Sequence, residues 1–155
     1  METLAPAAIC RHSRIRVKTS HGTEFIDLTV QIEQLATAAG IRAGVVNVQT
    51  LHTTTAIIVN EPEPLLLVDF EELLARTAPG HAPYRHNDTN VRTFLPGERP
   101  DGHAHCQALL LGSSASLNYA DGRLQLGRWQ RVLLVELDGP GEREVSVVIL
   151  GEAVR

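Results

Sequence analysis

The chain has 155 residues and a formal net charge of −4, and 43% of its residues are hydrophobic and 21% charged. This length is sufficient for one domain with its own core, and the composition is that of a globular protein rather than a disordered one. The negative charge and the scattered arginines exclude a general nucleic-acid binder and a polybasic membrane-binding segment. We expect a single domain over residues 1–155, with its core in about residues 13–151.

The cysteine content and the chain start bear on the cellular compartment. The two cysteines, Cys10 and Cys106, lie in neither a metal-binding nor a redox spacing. Two thiols do not make a disulfide framework, so a reducing compartment is the simpler expectation. The first residues lack the basic segment and long apolar run of a secretion signal, and no apolar stretch is long enough to cross a bilayer. We expect a cytoplasmic protein.

The first predicted elements are two strands and a helix. Alternating apolar and polar residues predict a strand over residues 13–18. Turn-forming residues at 20–22 predict that residues 24–28 return as its hairpin partner. Thr29 is a candidate N-cap for the following helix, and Gly40 is placed to end it.

The middle of the chain predicts two more strands, a second helix and a long loop. β-branched residues predict strands over residues 44–51 and 56–60. Two prolines at 62 and 64 favour a helix start, because the missing N–H costs nothing there. Its expected buried stripe consists of Leu66, Phe70, Leu73 and Leu74. Residues 76–102 show little periodicity, and a loop of this length in a small domain is usually functional or disordered; two histidines within it, His81 and His86, and His103 directly after it favour function.

The last third is predicted to be mostly β. A short helix over residues 105–111 ends at Gly112. The strands that follow are expected at residues 114–119, 123–126, 132–138 and 145–150. Together these elements predict an α+β fold, with an antiparallel sheet structure and two or three helices.

Three histidines are candidate metal ligands. His52, His86 and His105 each lie in a segment rich in small or polar residues. Neutral imidazole is the commonest protein ligand for borderline transition metals, and three of them leave a coordination position open for chemistry. The alternative is that these are solvated loop histidines, since no standard zinc spacing occurs.

Several carboxylates could support such a site. Glu136 and Asp138 share one face of a predicted strand, which is unusual unless that face meets water, a cation or a site. The alternatives for this face are a solvated surface strand or an ion pair between subunits. Glu61 follows the strand after His52 and could lie beside the imidazoles, or it could instead complement the dipole of the next helix.

Hydroxyls and an aromatic residue provide weaker signals. Ser113 and Ser114 at a helix exit suit an anion, although the lysine and spacing of a phosphate-binding loop are missing. Trp129 is the only tryptophan, and a lone tryptophan belongs more often to a core or an interface than to a ligand platform.

In order along the chain, six segments resemble those of the YjbQ family. They are His52-Thr53-Thr54-Thr55-Ala56, Asn60-Glu61, Tyr84-Arg85-His86-Asn87, His105 with Ala108 to Ser114, Gly127-Arg128-Trp129-Gln130, and Glu136-Leu137-Asp138-Gly139-Pro140. The resemblance covers nearly all of residues 13–151. It implies an α+β fold with a β-sandwich-like core, a homotrimer, and a site of three histidines that often holds a metal, usually taken as zinc. It also implies a reported side activity as thiamine-phosphate synthase, which joins a hydroxymethylpyrimidine diphosphate to a thiazole phosphate.

The resemblance and the chemistry of the side chains together give candidate roles to this chain's residues. The expected metal ligands are His52, His86 and His105, and His103 ranks below His105 because many family members have a small residue there. Candidates for orienting the imidazoles or for acid–base chemistry are Glu61, Asn87 and Glu136. Candidates for binding a phosphorylated substrate are Ser113, Ser114, Arg85 and Arg128. Two departures concern charge: Arg128 stands where the family commonly has Thr, and Gly141 stands where the Asp-Gly-Pro segment usually continues with Arg.

Three functions are compatible with these residues. The first is a metal-assisted transferase acting on phosphorylated heterocycles, although three histidines are the wrong ligand set for the magnesium that such reactions usually need. The second is metal-assisted hydrolysis of a small phosphorylated or acyl substrate. The third is a non-catalytic metal-binding or anion-binding protein.

Overall fold

The computed structural model describes residues 8–154, which form eight strands, three α-helices and one 3-10 helix. The strands are β1 (Ala8–Lys18), β2 (Glu24–Asp27), β3 (Ile41–Thr50), β4 (Thr55–Asn60), β5 (Ser114–Ala120), β6 (Arg123–Leu124), β7 (Arg131–Glu136) and β8 (Glu142–Ala153). The helices are α1 (Thr29–Ala38), α2 (Pro64–Thr77) and α3 (Gly102–Leu111), with the 3-10 helix Arg85–Asn87 between α2 and α3.

The strands form two antiparallel sheets whose apolar faces pack together. One sheet has the strand order β1-β8-β3-β5-β6 and the other the order β2-β7-β4. Val46 and Ile149 from the larger sheet share one buried cluster with Ile57 and Leu134 from the smaller sheet, and Ile32 of α1 joins them. The expected α+β fold with an antiparallel sandwich-like core is confirmed.

A second buried cluster lies on the other face of the smaller sheet. Leu74 of α2 and Ala104 of α3 pack there against Val135 and Ala56 of β7 and β4. Gln107 ties the two helices together, because its side-chain amide donates to the carbonyl oxygens at positions 74 and 78, at 3.2 and 3.1 Å. This packing fixes the position of α3 relative to the sheets.

The predicted hairpin of the first two strands does not form. β1 pairs along its whole length with β8, while β2 pairs with β7 in the other sheet. The segment between them therefore crosses from one sheet to the other. β8 has an alternating apolar face along 12 residues, which offers β1 a far longer partner than the 4 residues of β2.

Two side-chain predictions for the helices are also wrong. Thr29 does not cap α1, because its hydroxyl accepts a hydrogen bond from the Val132 N–H at 2.9 Å and so joins the helix to β7. Leu73 of α2 is 54% exposed rather than buried, and Leu74 alone is buried in that helix. Gly40 follows the end of α1 with φ of +70°, as its predicted role as a helix stop requires.

The long segment before α3 is held by its own side chains. Arg92 donates to the carbonyl oxygen of His86 at 3.0 Å, and Arg99 donates to a carboxylate oxygen of Asp138 at 2.8 Å. The second contact fastens this segment to the end of β7. Within residues 8–154, no helix is long and apolar enough to cross a membrane.

Candidate metal centre

His86, Asp101 and His105 bring three potential ligand atoms together. Their ligand atoms all lie within 4.8 Å of one another. The Nε2 atom of His86 lies 3.3 Å from one Asp101 carboxylate oxygen, and the Nε2 atom of His105 lies 3.4 Å from the other. Ligands at about 2.1 Å from a tetrahedral zinc ion are themselves about 3.4 Å apart. The two contacts between imidazole and carboxylate therefore have the spacing of neighbouring ligands on a divalent metal.

A buried carboxylate oxygen supports the same assignment. Oδ1 of Asp101 is buried and lacks a hydrogen-bond partner among residues 8–154, although His86 Nε2 lies nearby. Buried polar atoms in folded proteins are normally satisfied, so this oxygen is available to a bound ion or water. Two imidazoles and this carboxylate are also a ligand set that suits zinc and several other divalent transition metals.

The 3-10 helix and the start of α3 are clamped together. The Asn87 side-chain oxygen accepts a hydrogen bond from the Gly102 N–H at 2.9 Å. A Cβ at Gly102 would lie 2.6 Å from the Cβ of Tyr84, so glycine permits this close approach. The clamp brings His86 beside Asp101, while Asp101 and His105 face each other because they are one helical turn apart.

Glu98 forms the outer edge of the centre. Its carboxylate accepts hydrogen bonds from the Leu95 N–H and from Arg92, and these contacts hold the pKa of Glu98 below its usual value. The nearest Glu98 oxygen lies 4.0 Å from His86 Nε2. Glu98 is therefore an ionised neighbour of the centre that is already engaged by Arg92.

The centre borders a cleft of about 630 Å³. The cleft is lined by His105 and His52 together with Gln49, Thr50, Leu51, Thr53, Thr55, Ala108, Leu109, Gly112 and Ser113. The wall of the cleft is therefore mixed, with hydroxyl, amide and imidazole groups beside the apolar side chains of alanine and leucine. His105 belongs to both the cleft lining and the ligand group, so the ligand group lies at the edge of the cleft.

Comparison with known proteins identifies the family. A family model described as UPF0047 protein YjbQ-like matches residues 13–152. The chain belongs to this YjbQ family. A UPF0047 protein of Methanothermobacter thermautotrophicus is 37% identical over 138 residues, which are 88% of this chain and 89% of that protein. A UPF0047 protein of Archaeoglobus fulgidus is 38% identical over 138 residues, 88% of this chain and 98% of that protein.

Solved structures of similar proteins have the same fold. A protein of unknown function from Sulfolobus solfataricus P2 gives a TM-score of 0.84 at 33% identity, covering 94% of this chain and 100% of that one. A hypothetical protein from Aeropyrum pernix K1 gives a TM-score of 0.81 at 35% identity, covering 92% and 99%. The YjbQ resemblance found in the sequence motifs is confirmed.

Of the three predicted metal ligands, the structure gathers two. His86 and His105 belong to the ligand group, and His52 does not. The Nε2 atom of His52 instead accepts a hydrogen bond from the Glu144 backbone N–H at 2.8 Å. The side chain of His103, also on α3, lies beside Gly80 instead. Its Cδ2 atom is 3.9 Å from the position that a Cβ at Gly80 would occupy.

Glu136 is neither solvent-facing nor at the candidate centre. Its side chain is fully buried and accepts hydrogen bonds from the Nε of Arg143 at 2.5 Å and from the Thr19 hydroxyl at 2.9 Å. Burial raises the pKa of Glu136, but these bonds, with that from the Asp138 N–H, outweigh burial and lower it overall. Of the alternatives for this face, a solvated surface does not describe Glu136, because its carboxylate is buried and pairs with Arg143 of the same chain.

The remaining predicted site residues are dispersed. Glu61 follows β4, and the carboxylate that caps α2 belongs to Glu63. Ser113 lines the cleft, and Ser114 begins β5. Arg85 lines a separate depression with Tyr84 and Asn87, and the Arg128 guanidinium lies 4.6 Å from the centre of the Trp129 ring.

Sequence reasoning missed Asp101 and the threonines of the cleft. The signal for Asp101 was present, because a carboxylate one helical turn before a histidine can share its metal. Thr53 and Thr55 belong to the family segment that begins at His52, and Thr50 lies two residues before it, but only the fold places these threonines beside α3 in the cleft.

Proposed function

We propose that this protein is a metal-dependent enzyme acting on a small molecule, with His86, Asp101 and His105 as the metal ligands. The observation that carries the proposal is the unsatisfied, buried Asp101 oxygen between two imidazoles at the edge of a cleft. We take zinc as the metal, because three N and O ligands with an open fourth position are typical of catalytic zinc. A divalent ion bound there would act as a Lewis acid toward a substrate oxygen and would lower the pKa of bound water.

The chain's own residues would bind and orient the substrate. Thr50, Thr53 and Ser113 offer hydroxyls that can donate to or accept from a substrate, and Leu109 with Ala108 offers apolar contact. Such a lining suits a small molecule with a few oxygen atoms, and the metal would supply the main positive charge. Hydrolysis of a small acyl or phosphorylated compound fits this cleft.

Thiamine-phosphate synthesis is the activity that the family resemblance proposes, as a side reaction of this site. A diphosphate leaving group requires stabilisation by positive charge. The two predicted arginines lie apart from the cleft, Arg85 in its own depression and Arg128 on Trp129. We therefore rank this transfer below metal-assisted hydrolysis as the physiological reaction.

Metal analysis and a turnover screen test the proposal together. Protein purified without chelator should contain about one equivalent of metal, and Asp101→Asn and His105→Ala should lose most of it. His81→Ala is the matched control, because His81 is an exposed histidine of the same segment and lies outside the ligand group. Equal metal content in all four proteins would refute the site.

The same proteins should then be incubated with a metabolite pool and with the two thiamine precursors. Substrate consumption by the metal-loaded wild type, absent in Asp101→Asn, supports an enzyme, and the product separates hydrolysis from transfer. Metal binding with specific ligand retention but no turnover would instead favour a non-catalytic binding protein.

We also propose a homotrimer, as the resemblance implies. Exposed apolar side chains outside the cleft support association: Leu110 is 61% exposed and Trp129 59%. Large exposed apolar groups are typical of surfaces covered by another subunit. Sedimentation should give three times the chain mass, and a stable monomer at micromolar concentration would contradict the assembly.

A further inference from the structure

His52 has already used the atom that would bind a metal. The backbone N–H of Glu144 donates to its Nε2 at 2.8 Å. A neutral imidazole has one ring nitrogen with a free lone pair and one that carries a proton. Because a backbone N–H is always a donor, Nε2 is the acceptor and the proton lies on Nδ1. In this arrangement His52 presents a donor and has no lone pair left for a metal.

The backbone of His52 is held on both sides. Its N–H donates to the Thr50 hydroxyl and its carbonyl oxygen accepts from the Thr55 hydroxyl, each at 3.3 Å. Both threonines are buried. The ring is thereby fixed between β3, β4 and β8, as a group that acts on a bound molecule must be.

The surroundings also keep the ring neutral. Burial, and then the positive charge of Arg143, lower the pKa of His52 despite the opposing charges of Glu136 and Glu144. A neutral ring with a fixed tautomer donates one hydrogen bond in one direction. A neutral imidazole that donates such a hydrogen bond can polarise a substrate oxygen, and the imidazole does not need to be protonated first.

His52 and His105 line the same cleft. A molecule bound in this cleft would therefore lie beside both the His52 ring and a ligand of the candidate metal centre. We propose that His52 binds the substrate rather than the metal, and that its Nδ1–H donates to a carbonyl or phosphoryl oxygen of a molecule held in the cleft. The proposal rests on the metal-dependent function proposed above. The ligand class is a small molecule with an accessible acceptor oxygen, bound between the metal and the His52 donor.

Three variants separate this role from metal ligation: His52→Ala, His52→Gln and His105→Ala. Zinc affinity is measured by competition with a chromophoric chelator. His52→Ala should keep its zinc dissociation constant within about threefold, whereas His105→Ala should weaken zinc binding by more than the roughly 10- to 100-fold that loss of a group behind a ligand costs. Thermal unfolding of each zinc-free variant shows whether it is folded.

Calorimetric titration with inorganic phosphate and with acetate then tests the donor. Zinc-loaded His52→Ala should bind the better of these probes about 10- to 100-fold more weakly than the wild type, as expected for one lost hydrogen bond to a charged group. His52→Gln should recover part of this loss, because its amide can accept from the Glu144 N–H and still donate. The substrate role is supported by this pattern.

Two results would overturn the inference. One is a loss of zinc by His52→Ala as large as that by His105→Ala, which would make His52 a ligand and leave the metal-dependent function intact. The other is unchanged probe binding by His52→Ala. Retention of zinc by His105→Ala and Asp101→Asn is a separate outcome, and it would refute the proposed metal centre itself.

Discussion

Replacing Gly102 by alanine tests how the candidate centre is assembled. Gly102 is buried at the first position of α3, where alanine is ordinarily the better helix former by up to about 1 kcal/mol. Here the added Cβ would lie 2.6 Å from the Tyr84 Cβ and 2.9 Å from its Cγ. Neither atom is the far end of a flexible side chain, so the 3-10 helix and α3 have to move apart.

The size of the effect follows from this overlap. The contact is about 0.8 Å closer than the 3.4 Å at which ordinary contact begins. Overpacking of this kind costs about 1–3 kcal/mol, which outweighs the helix preference. The net loss of about 1–2 kcal/mol lowers Tm by about 2–8 °C in a domain of this size. Zinc affinity should fall by about tenfold or more, because His86 and Asp101 lie on opposite sides of the contact.

Calorimetric unfolding of zinc-free protein and chelator competition measure the two effects separately. Gly80→Ala is the control, since its added Cβ would meet only the His103 ring, at 3.9 Å. That variant should leave Tm unchanged or raise it slightly. If Gly102→Ala matched this control in both Tm and zinc affinity, the clamp would not position the centre.

Further predictions concern the buried polar contacts. Glu136→Gln should destabilise the fold by about 3–5 kcal/mol near neutral pH, because it leaves the Arg143 charge without its buried partner. Because the folded-state pKa of Glu136 is lowered, its stabilisation is present above the unfolded value near 4.5 and is lost as pH falls through the folded value. Urea titrations should therefore show a smaller stability loss below pH 4.5 in Glu136→Gln than in the wild type. Gln107→Ala should cost about 1–3 kcal/mol, because the Ala78 carbonyl oxygen loses its donor and that of Leu74 keeps only the Ala78 N–H; an unchanged urea midpoint would contradict the contact.

The sequence predicted where the strands and helices lie better than it predicted which strands pair with each other. Alternation and turn residues located the strands, because a strand's own side chains record which faces are buried. Pairing depends on distant segments, and so the expected hairpin of β1 and β2 was wrong: β8 lies more than 100 residues further along the chain. The class of fold nevertheless followed, since it depends on the kinds of elements and not on their order in each sheet.

The candidate centre was predictable only in part. Imidazole chemistry and family motifs selected His86 and His105, which the fold brings to within 4.9 Å between ring centres. Asp101 could have been found from its spacing to His105. The environment of His52 could not have been predicted, because its ring nitrogen accepts from the backbone N–H of Glu144. Every residue except proline has such a donor, so the residue type at 144 does not indicate the contact.

The departure at Gly141 now has a structural account. The resemblance to the family leads us to expect arginine after the Asp-Gly-Pro segment, and this chain has glycine there and Arg143 two positions later. The Arg143 guanidinium lies over Gly141, with its Cζ 3.1 Å from the position that a Cβ would occupy, and it reaches back to Glu136. The missing side chain thus leaves the space that Arg143 fills. Its charge pairs with a buried carboxylate and, after burial as the larger cause, also lowers the pKa of His52, so one arginine both neutralises Glu136 and favours the neutral imidazole beside the cleft.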